Sequence, residues 1–433
     1  MKPNNQEAVF CPALFITAPA SGQGKTTITA ALARMLKRQG KIVRVFKTGP
    51  DFLDPQILAQ ASGEHVEQLD LWMAGENYCR YQFYQAAQEA DLIIVEGAMG
   101  MFDGEPSSAD LAATFNIPMA IVMDVKGMAQ TAAAIAMGLA NYRDDIQVAG
   151  LIANSCSTER HRQLIEDALP DSLPLLAPLA RSESVALPER HLGLVQASEV
   201  RAELEQRFNA GADWLVDAGL ENILERFSNV EFKPAILPIE QPLLQDKIIA
   251  IAKDEAFSFI YQANLLLLKE LGATLKFFSP LHDKEMPAAD ALWLPGGYPE
   301  LHAQTLSENY SMLAEIRAFH QSHKPILAEC GGLLYSLESL TDLNSQTFSL
   351  LGILEGQGAM RGKRGCQGMQ TACLPQGEVR AHAHHRSLSE NTPEPIGYGR
   401  RQRHPAPGEP IFQNKGLTAS YLHLYFPSNL EAI

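Results

Sequence analysis

Ser21-Gly22-Gln23-Gly24-Lys25-Thr26-Thr27 sets two glycines, a lysine and two threonines between an apolar run and a helix-like stretch. In that context glycines let backbone N–H groups wrap a phosphate. A helix N-terminus adds positive potential, a lysine reaches the terminal phosphates and a hydroxyl ligates Mg2+. Gly22, Gly24, Lys25, Thr26 and Thr27 are therefore expected to bind a nucleotide. The position six residues before the lysine is Pro19 rather than glycine, so the loop is a variant one. The plain alternative is a glycine turn that caps a helix.

A nucleotide site also needs carboxylates for its metal. Lys47-Thr48-Gly49-Pro50-Asp51-Phe52-Leu53-Asp54-Pro55 follows a second apolar run, and Glu96-Gly97 through Asp103-Gly104 follows a third. Both acidic clusters fall just past expected strand C-termini, where open α/β sheets place their ligands. Each alone reads equally well as an aspartate-rich turn. Asp124 ends another strand and suits a helix cap as well as a nucleotide contact.

A second kind of chemistry is written later in the chain. Ala328-Glu329-Cys330-Gly331-Gly332 puts a cysteine at a strand end with glycines leading into a helix. A sharp turn there exposes the thiol, and helix-end N–H groups stabilise thiolate and oxyanion. Pro295-Gly296-Gly297-Tyr298-Pro299-Glu300 offers further N–H donors, and His423 on a short apolar run offers a base. A lone strand-end cysteine is ordinarily a small core residue; the flanking glycines, the Gly-Gly loop and the late histidine argue for Cys330 as a nucleophile. His382, His384 and His385, with Arg380 and Arg386, could suggest a metal. A strand would send His382 and His384 to one face and His385 to the other, so the segment reads better as a substrate-facing loop.

These residues need elements to hold them. Phe10–Thr17, Ile42–Lys47, Asp91–Glu96, Met119–Asp124 and Gln147–Asn154 are short apolar runs, and Thr26–Gln39 has helical spacing. The alternation predicts a doubly wound α/β unit on a buried parallel sheet. Val200–Phe227 is predicted helical. Ser228–Asp246, with Pro234, Pro238 and Pro242, reads as connecting chain. Lys247–Lys253, Thr274–Ser279, Ala291–Leu294 and Pro325–Glu329 then restart the strand pattern, with Ser258–Leu271 helical. Met360–Gly368 is a glycine-rich basic loop. The expected division is 1–230, a linker at 231–246, and 247–433.

The chain's 433 residues exceed what one core ordinarily supports. Its 35 Lys and Arg against 50 Asp and Glu give a net charge of −15, which disfavours non-specific binding to nucleic acid or an anionic membrane. No apolar stretch is long enough to cross a bilayer. Ala8–Ala20, interrupted by Pro12, reads as a strand rather than a targeting segment. The 6 cysteines are scattered without a CxxC pair, which suits a reducing cytoplasm. Apart from Cys330 they read as small hydrophobes.

Taken in order, these motifs closely resemble the cobyrinic acid a,c-diamide synthase family of cobalamin biosynthesis, over essentially the whole chain. The resemblance implies an N-terminal domain like dethiobiotin synthetase and a C-terminal domain like a class I glutamine amidotransferase. It implies a ligase that uses ATP, Mg2+ and L-glutamine to amidate a corrinoid carboxylate. Cys330 would attack glutamine and His423 would activate it. Lys25, Thr26 and Glu96 would serve MgATP, with Asp51 joining Thr26 and Glu96 at the metal. Asp51, Asp54 and Asp103 would line the nucleotide and corrinoid site, with Phe52 and Leu53 near the corrinoid. A homodimer is one assembly open to it. Two features depart from the pattern. The glutamate that class I amidotransferases usually carry two positions after the histidine is Tyr425 here, and Arg380-Ala381-His382-Ala383 stands where relatives commonly have Arg-Gly-His-Glu. Cobyric acid synthase and nickel-sirohydrochlorin a,c-diamide synthase share the architecture. A partitioning-type ATPase would explain the first half but leave Cys330 and His423 idle.

Overall fold

Val9–Thr17 runs through the middle of the first unit and is buried on both faces from Ala13 onward. A computed structural model of the chain describes residues 7–190, 193–194, 200–237, 242–362, 365 and 367–432. It separates into two units, Met1–Leu237 and Pro238–Ile433.

In the first unit, Val9–Thr17 pairs in parallel with Leu92–Glu96 on one side and Met119–Asp124 on the other. Val43–Thr48 and Glu67–Leu69 extend one edge, and Val148–Asn154 and Leu175–Leu179 the other. The centre of this sheet is sealed by helices, so its strands read as continuous apolar runs. The helix Lys25–Arg38 packs closely on Arg201–Asp217: a side chain at Gly211 would sit 2.9 Å from the Ala31 methyl. The predicted helix over Val200–Phe227 stops at Asp217, because Gly219 turns the chain at φ 80°; a 3-10 turn at Ile223–Arg226 follows.

Part of the expected connecting segment is structured. Asn229–Phe232 is a strand antiparallel to Val9–Pro12. Val230 and Phe232 point inward while Asn229 and Glu231 face out. Two inward residues are too short a period-2 pattern to stand out beside the prolines that follow. Pro238–Gln241 of that segment, and Lys363, Arg364 and Cys366 of the expected basic loop, lie outside the described residues.

The second unit is built on a mixed ten-stranded sheet. Thr274–Phe278, Ile248–Ala252, Ala291–Leu294, Ile326–Glu329 and Leu417–Ser420 form its parallel half. Pro407–Asn414, Gly397–Arg401, Gln367–Leu374, Gly377–His384 and Leu422–Leu424 continue it antiparallel. Leu417–Ser420 and Leu422–Leu424 are separated in the chain by Tyr421 alone, yet the second lies at the end of the strand path. The sheet therefore curls back on itself. Among the described residues no helix is long and apolar enough to cross a membrane.

Candidate active sites

The loop between Val9–Thr17 and the helix Lys25–Arg38 turns on two left-handed glycines, Gly22 at φ 77° and Gly24 at φ 97°. Gly24 also has no room for a side chain, since a Cβ would lie 2.5 Å from the Asn154 amide nitrogen. That amide donates to the Gln23 carbonyl at 3.0 Å, and the Asp124 N–H donates to Gln23 Oε1 at 2.8 Å. The ends of two neighbouring strands thus pin the loop. Asp124 takes part through its backbone.

Lys25 Nζ donates to the carbonyls of Ala20 at 3.2 Å and Met99 at 2.7 Å. Burial and the nearby Lys47 lower its pKa. Thr26 Oγ1 donates to Glu96 Oε1 at 2.8 Å and lies 3.3 Å from Asp54 Oδ2. Thr27 stands half-buried beside it on the same first turn. Asp103 accepts the Gly100 N–H at 3.1 Å and acts on the Lys25 charge.

Lys47 joins these groups, and it was quoted from the sequence without a role. Its Nζ reaches Glu96 Oε1 at 2.5 Å, Asp54 Oδ2 at 2.7 Å and Asp51 Oδ2 at 4.0 Å. Burial would lower its pKa, but Glu96, Asp54 and Asp51 together hold the ammonium firmly charged. Lys47 is itself buried, in a strand whose six residues are all buried. Asp51 Oδ1 accepts the N–H groups of Leu53 at 2.9 Å and Asp54 at 3.2 Å, the first two residues of the helix Leu53–Ser62. Burial, then the neighbouring Asp54, push Asp51 up to about 7. Burial opposes ionisation of Asp54 too, but Lys47 and hydrogen bonds from Asp51, Lys47 and Thr26 hold it below the usual carboxylate range. The two shifts run in opposite directions, Asp51 toward the neutral form and Asp54 toward the charged one.

In the second unit Cys330 follows the strand Ile326–Glu329 and precedes the helix Gly331–Ser336. Its backbone sits at φ 47°, ψ −99°. A non-glycine residue held there costs about 1–3 kcal/mol, a cost that persists only where the surroundings impose it. The Cys330 N–H donates to the Ser420 carbonyl at 2.8 Å. A Cβ on Gly332 would fall 2.0 Å from the Leu294 carbonyl oxygen, and one on Gly331 would fall 3.0 Å from the Gly297 nitrogen. The elbow therefore rests directly on the Gly296–Gly297 loop. His423 packs on the same loop: a Cβ on Gly296 would fall 2.2 Å from its Cε1. The turn that follows Cys330 and the His423 ring thus both lie against the Gly296–Gly297 loop, and the imidazole leaves Gly296 no room for a side chain.

Burial raises the Cys330 thiol well above its ordinary range, with Glu300 adding to the effect. Burial likewise lowers His423 to about 3. Both shifts favour the neutral form, the thiol of Cys330 and the uncharged imidazole of His423.

His382 lies directly across from His423 in the antiparallel register, with rings 5.0 Å apart and 20° from parallel. The segment expected to be a substrate-facing loop is therefore, through His384, the strand Gly377–His384. His382 is buried in it and His384 exposed. His385 bonds Glu409 at 3.1 Å and stacks on Tyr421 at 3.9 Å.

A phosphate loop with buried carboxylates in one unit, and a cysteine elbow and a histidine on one glycine loop in the other, is the build of a glutamine-using amide ligase. Comparison with known proteins agrees. The CobQ/CobB/MinD/ParA nucleotide binding domain family matches residues 14–195, and the CobB/CobQ-like glutamine amidotransferase domain family matches residues 248–430. The chain is 49% identical to a hydrogenobyrinate a,c-diamide synthase of Stutzerimonas stutzeri over 97% of its length and 96% of the relative. It is 49% identical to one of Pseudomonas aeruginosa, covering 98% and 96%. It is 44% identical to a cobyrinate a,c-diamide synthase of Herminiimonas arsenicoxydans, covering 96% and 94%. The chain belongs to the cobyrinate and hydrogenobyrinate a,c-diamide synthase family.

Proposed function

We propose that this protein uses ATP and glutamine to amidate the a and c carboxylates of hydrogenobyrinic or cobyrinic acid. The observation that carries the reading is the presence in one chain of two complete constellations, Lys25-Thr26-Glu96 at a phosphate loop and Cys330 with His423 at a strained elbow. A carboxylate is a poor acyl donor because oxide is a poor leaving group. ATP transfers its γ-phosphoryl group to the carboxylate, giving an acyl phosphate and ADP. Ammonia then displaces phosphate and leaves the amide. The thiol of Cys330 gives its proton to His423 as sulfur attacks the glutamine amide carbon. His423 returns that proton to the departing ammonia, and water hydrolyses the thioester to glutamate. The N–H groups of Gly297 and Gly331, on the loop and the turn that meet beside Cys330, would be the donors to the oxyanion.

The donor set of the first unit suits Mg2+. Glu96 Oε2 is buried without a hydrogen-bond partner among the described residues, and the Thr26 hydroxyl lies against the same carboxylate. Among the described residues no group of three or more His, Cys, Asp or Glu side chains forms a metal cage alone. Mg2+ ordinarily takes one or two carboxylates and completes its shell with phosphate oxygens and water. Thr26, Glu96 and Asp51 would hold it, and the ion would supply positive charge to the phosphates. Gly22, Gly24, Lys25 and Thr27 would hold the nucleotide, and Asp54 and Asp103 would border the corrinoid.

The relatives at 49% identity bear the hydrogenobyrinate name and the one at 44% the cobyrinate name. The metal-free ring is therefore the first substrate to offer. The test incubates the protein with ATP, glutamine and each acid, and counts added amides by mass spectrometry. Two amides on either ring support the reading. No ATP- and glutamine-dependent amide on either ring would overturn it.

A further inference from the structure

Amidotransferases of this general kind usually orient the histidine with a carboxylate two residues on, and this chain has Tyr425 there. Tyr425 is buried, and its ring meets that of Tyr261 edge-on at 5.3 Å and 76°. Tyr261 is buried as well, and its hydroxyl lies 2.7 Å from His382 Nδ1. His382 presents the face of its ring to His423. Backbone pairing fixes the two histidines opposite one another, between strands that contribute Ala381↔Leu424 and Ala383↔Leu422 on either side. Three buried side chains from distant parts of the chain thus form one line: Tyr261, His382, His423.

Glu329, the residue before Cys330, is engaged with other donors. Glu329 accepts the Leu424 N–H at 2.7 Å and the Trp293 indole N–H at 2.8 Å. An imidazole that takes a proton during attack needs a fixed ring plane. A stacked aromatic ring, itself locked by a hydrogen bond, provides that plane.

We propose that His382, locked by the Tyr261 hydroxyl, is the positioning residue that sets the His423 ring for proton exchange with Cys330, in place of a carboxylate. The proposal rests on the reading of Cys330 and His423 given above. It assigns Tyr261 a role in glutaminase turnover exerted through His382. Burial and the imidazoles of His423 and His384 keep His382 uncharged, which suits it to lie beside a ring that gains a proton.

The test is a double-mutant cycle on the full-length protein. Two readouts are taken: kcat and KM for glutamine hydrolysis, and the rate of Cys330 alkylation by iodoacetamide followed on the Cys330 peptide. Tyr261→Phe removes one hydroxyl and should lower kcat and the alkylation rate about ten- to a hundredfold, with KM for glutamine little changed. His382→Asn keeps a polar atom for Tyr261 but removes the stacked face, and should lose as much. In a His423→Ala background neither change should slow alkylation further, because both act through His423. Equal losses with and without His423, or no loss from either variant in the parent, would overturn the proposal. If His423→Ala itself leaves turnover and alkylation at the parent rate, the Cys330–His423 reading falls, and that outcome is distinct from the others. Thermal unfolding midpoints near the parent's for Tyr261→Phe and His382→Asn keep the losses from being those of a misfolded chain.

Discussion

The carboxylate of Glu329, one residue before Cys330, accepts the backbone N–H of Leu424, one residue after His423, at 2.7 Å. The chain neighbours of Cys330 and His423 are thus tied to one another. Burial raises Glu329 to about 8, against the Leu424 and Trp293 hydrogen bonds. An acid whose pKa is higher folded than unfolded binds more protons in the native state. Its stabilising contribution is full below its ordinary value of 4.5 and fades as pH rises toward about 8. Glu329→Gln stays neutral throughout, so its unfolding midpoint should fall less steeply than the parent's between those limits. The amide nitrogen cannot accept one of the two N–H groups, which should cost about 1–3 kcal/mol overall. Calorimetry across that pH range checks both, and parallel profiles would count against the Glu329 assignment.

Cys330→Ala should abolish glutamine-supported amidation yet retain amidation at high ammonium concentration, since the first unit keeps its machinery. Loss of both would mean that Cys330 does more than release ammonia. The assay counts amides by mass spectrometry with each nitrogen donor in turn.

Lys25→Ala should lose amidation with glutamine and with ammonium alike, because a charge-assisted phosphate contact is gone. Thr26→Ala and Glu96→Gln should follow it through the metal. ATP turnover measured with the tetrapyrrole present decides the matter. A Lys25→Ala protein that hydrolyses ATP at the parent rate would refute the phosphate-loop assignment.

Lys47→Met should be more damaging to stability than an ordinary surface change. It leaves Glu96 and Asp54 buried without their cation, a loss of about 3–5 kcal/mol for pairs of this kind. Mg2+ should recover part of the unfolding midpoint in the variant, and chelation with EDTA should remove that recovery. A midpoint indifferent to Lys47→Met would show that the carboxylates are not charged together.

Amidation should proceed by release and rebinding of the mono-amide, one site serving both carboxylates in turn. With dilute enzyme, free mono-amide should accumulate and then decline. Leu53→Ala and Asp54→Asn should shift the balance of mono- to di-amide without altering glutamine hydrolysis. Di-amide from the first turnover, undiminished by added unlabelled mono-amide, would instead indicate processive transfer.

How much of this was legible from the residues depends on whether the parts were contiguous. The phosphate loop was readable because backbone turn, lysine and hydroxyl sit in one short stretch, and the Cys330 elbow because its glycines flank it directly. Lys47 carries no local signal of its role, because the Glu96 carboxylate that joins it to Asp54 is brought there only by the pairing of neighbouring strands. A lysine at a strand end otherwise looks like a solvated one. The Tyr261–His382–His423 line depends on cross-strand register, which no local pattern encodes. The histidine cluster was mistaken for a loop because alternation over so few residues, among arginines, is a weak strand signal. Asn229–Phe232 was absorbed into the connecting chain for the same reason.

Tyr421 is the whole of the chain between Leu417–Ser420, which pairs with the strand leading to Cys330, and Leu422–Leu424, which carries His423. Strand side chains alternate faces, so one residue more or fewer at this joint would turn His423 away from the Gly296 loop. Substitution can vary the chemistry of Tyr421, but length there has no slack. An insertion tolerated at most surface turns would, at this one position, disarm the glutaminase without touching any residue that performs it.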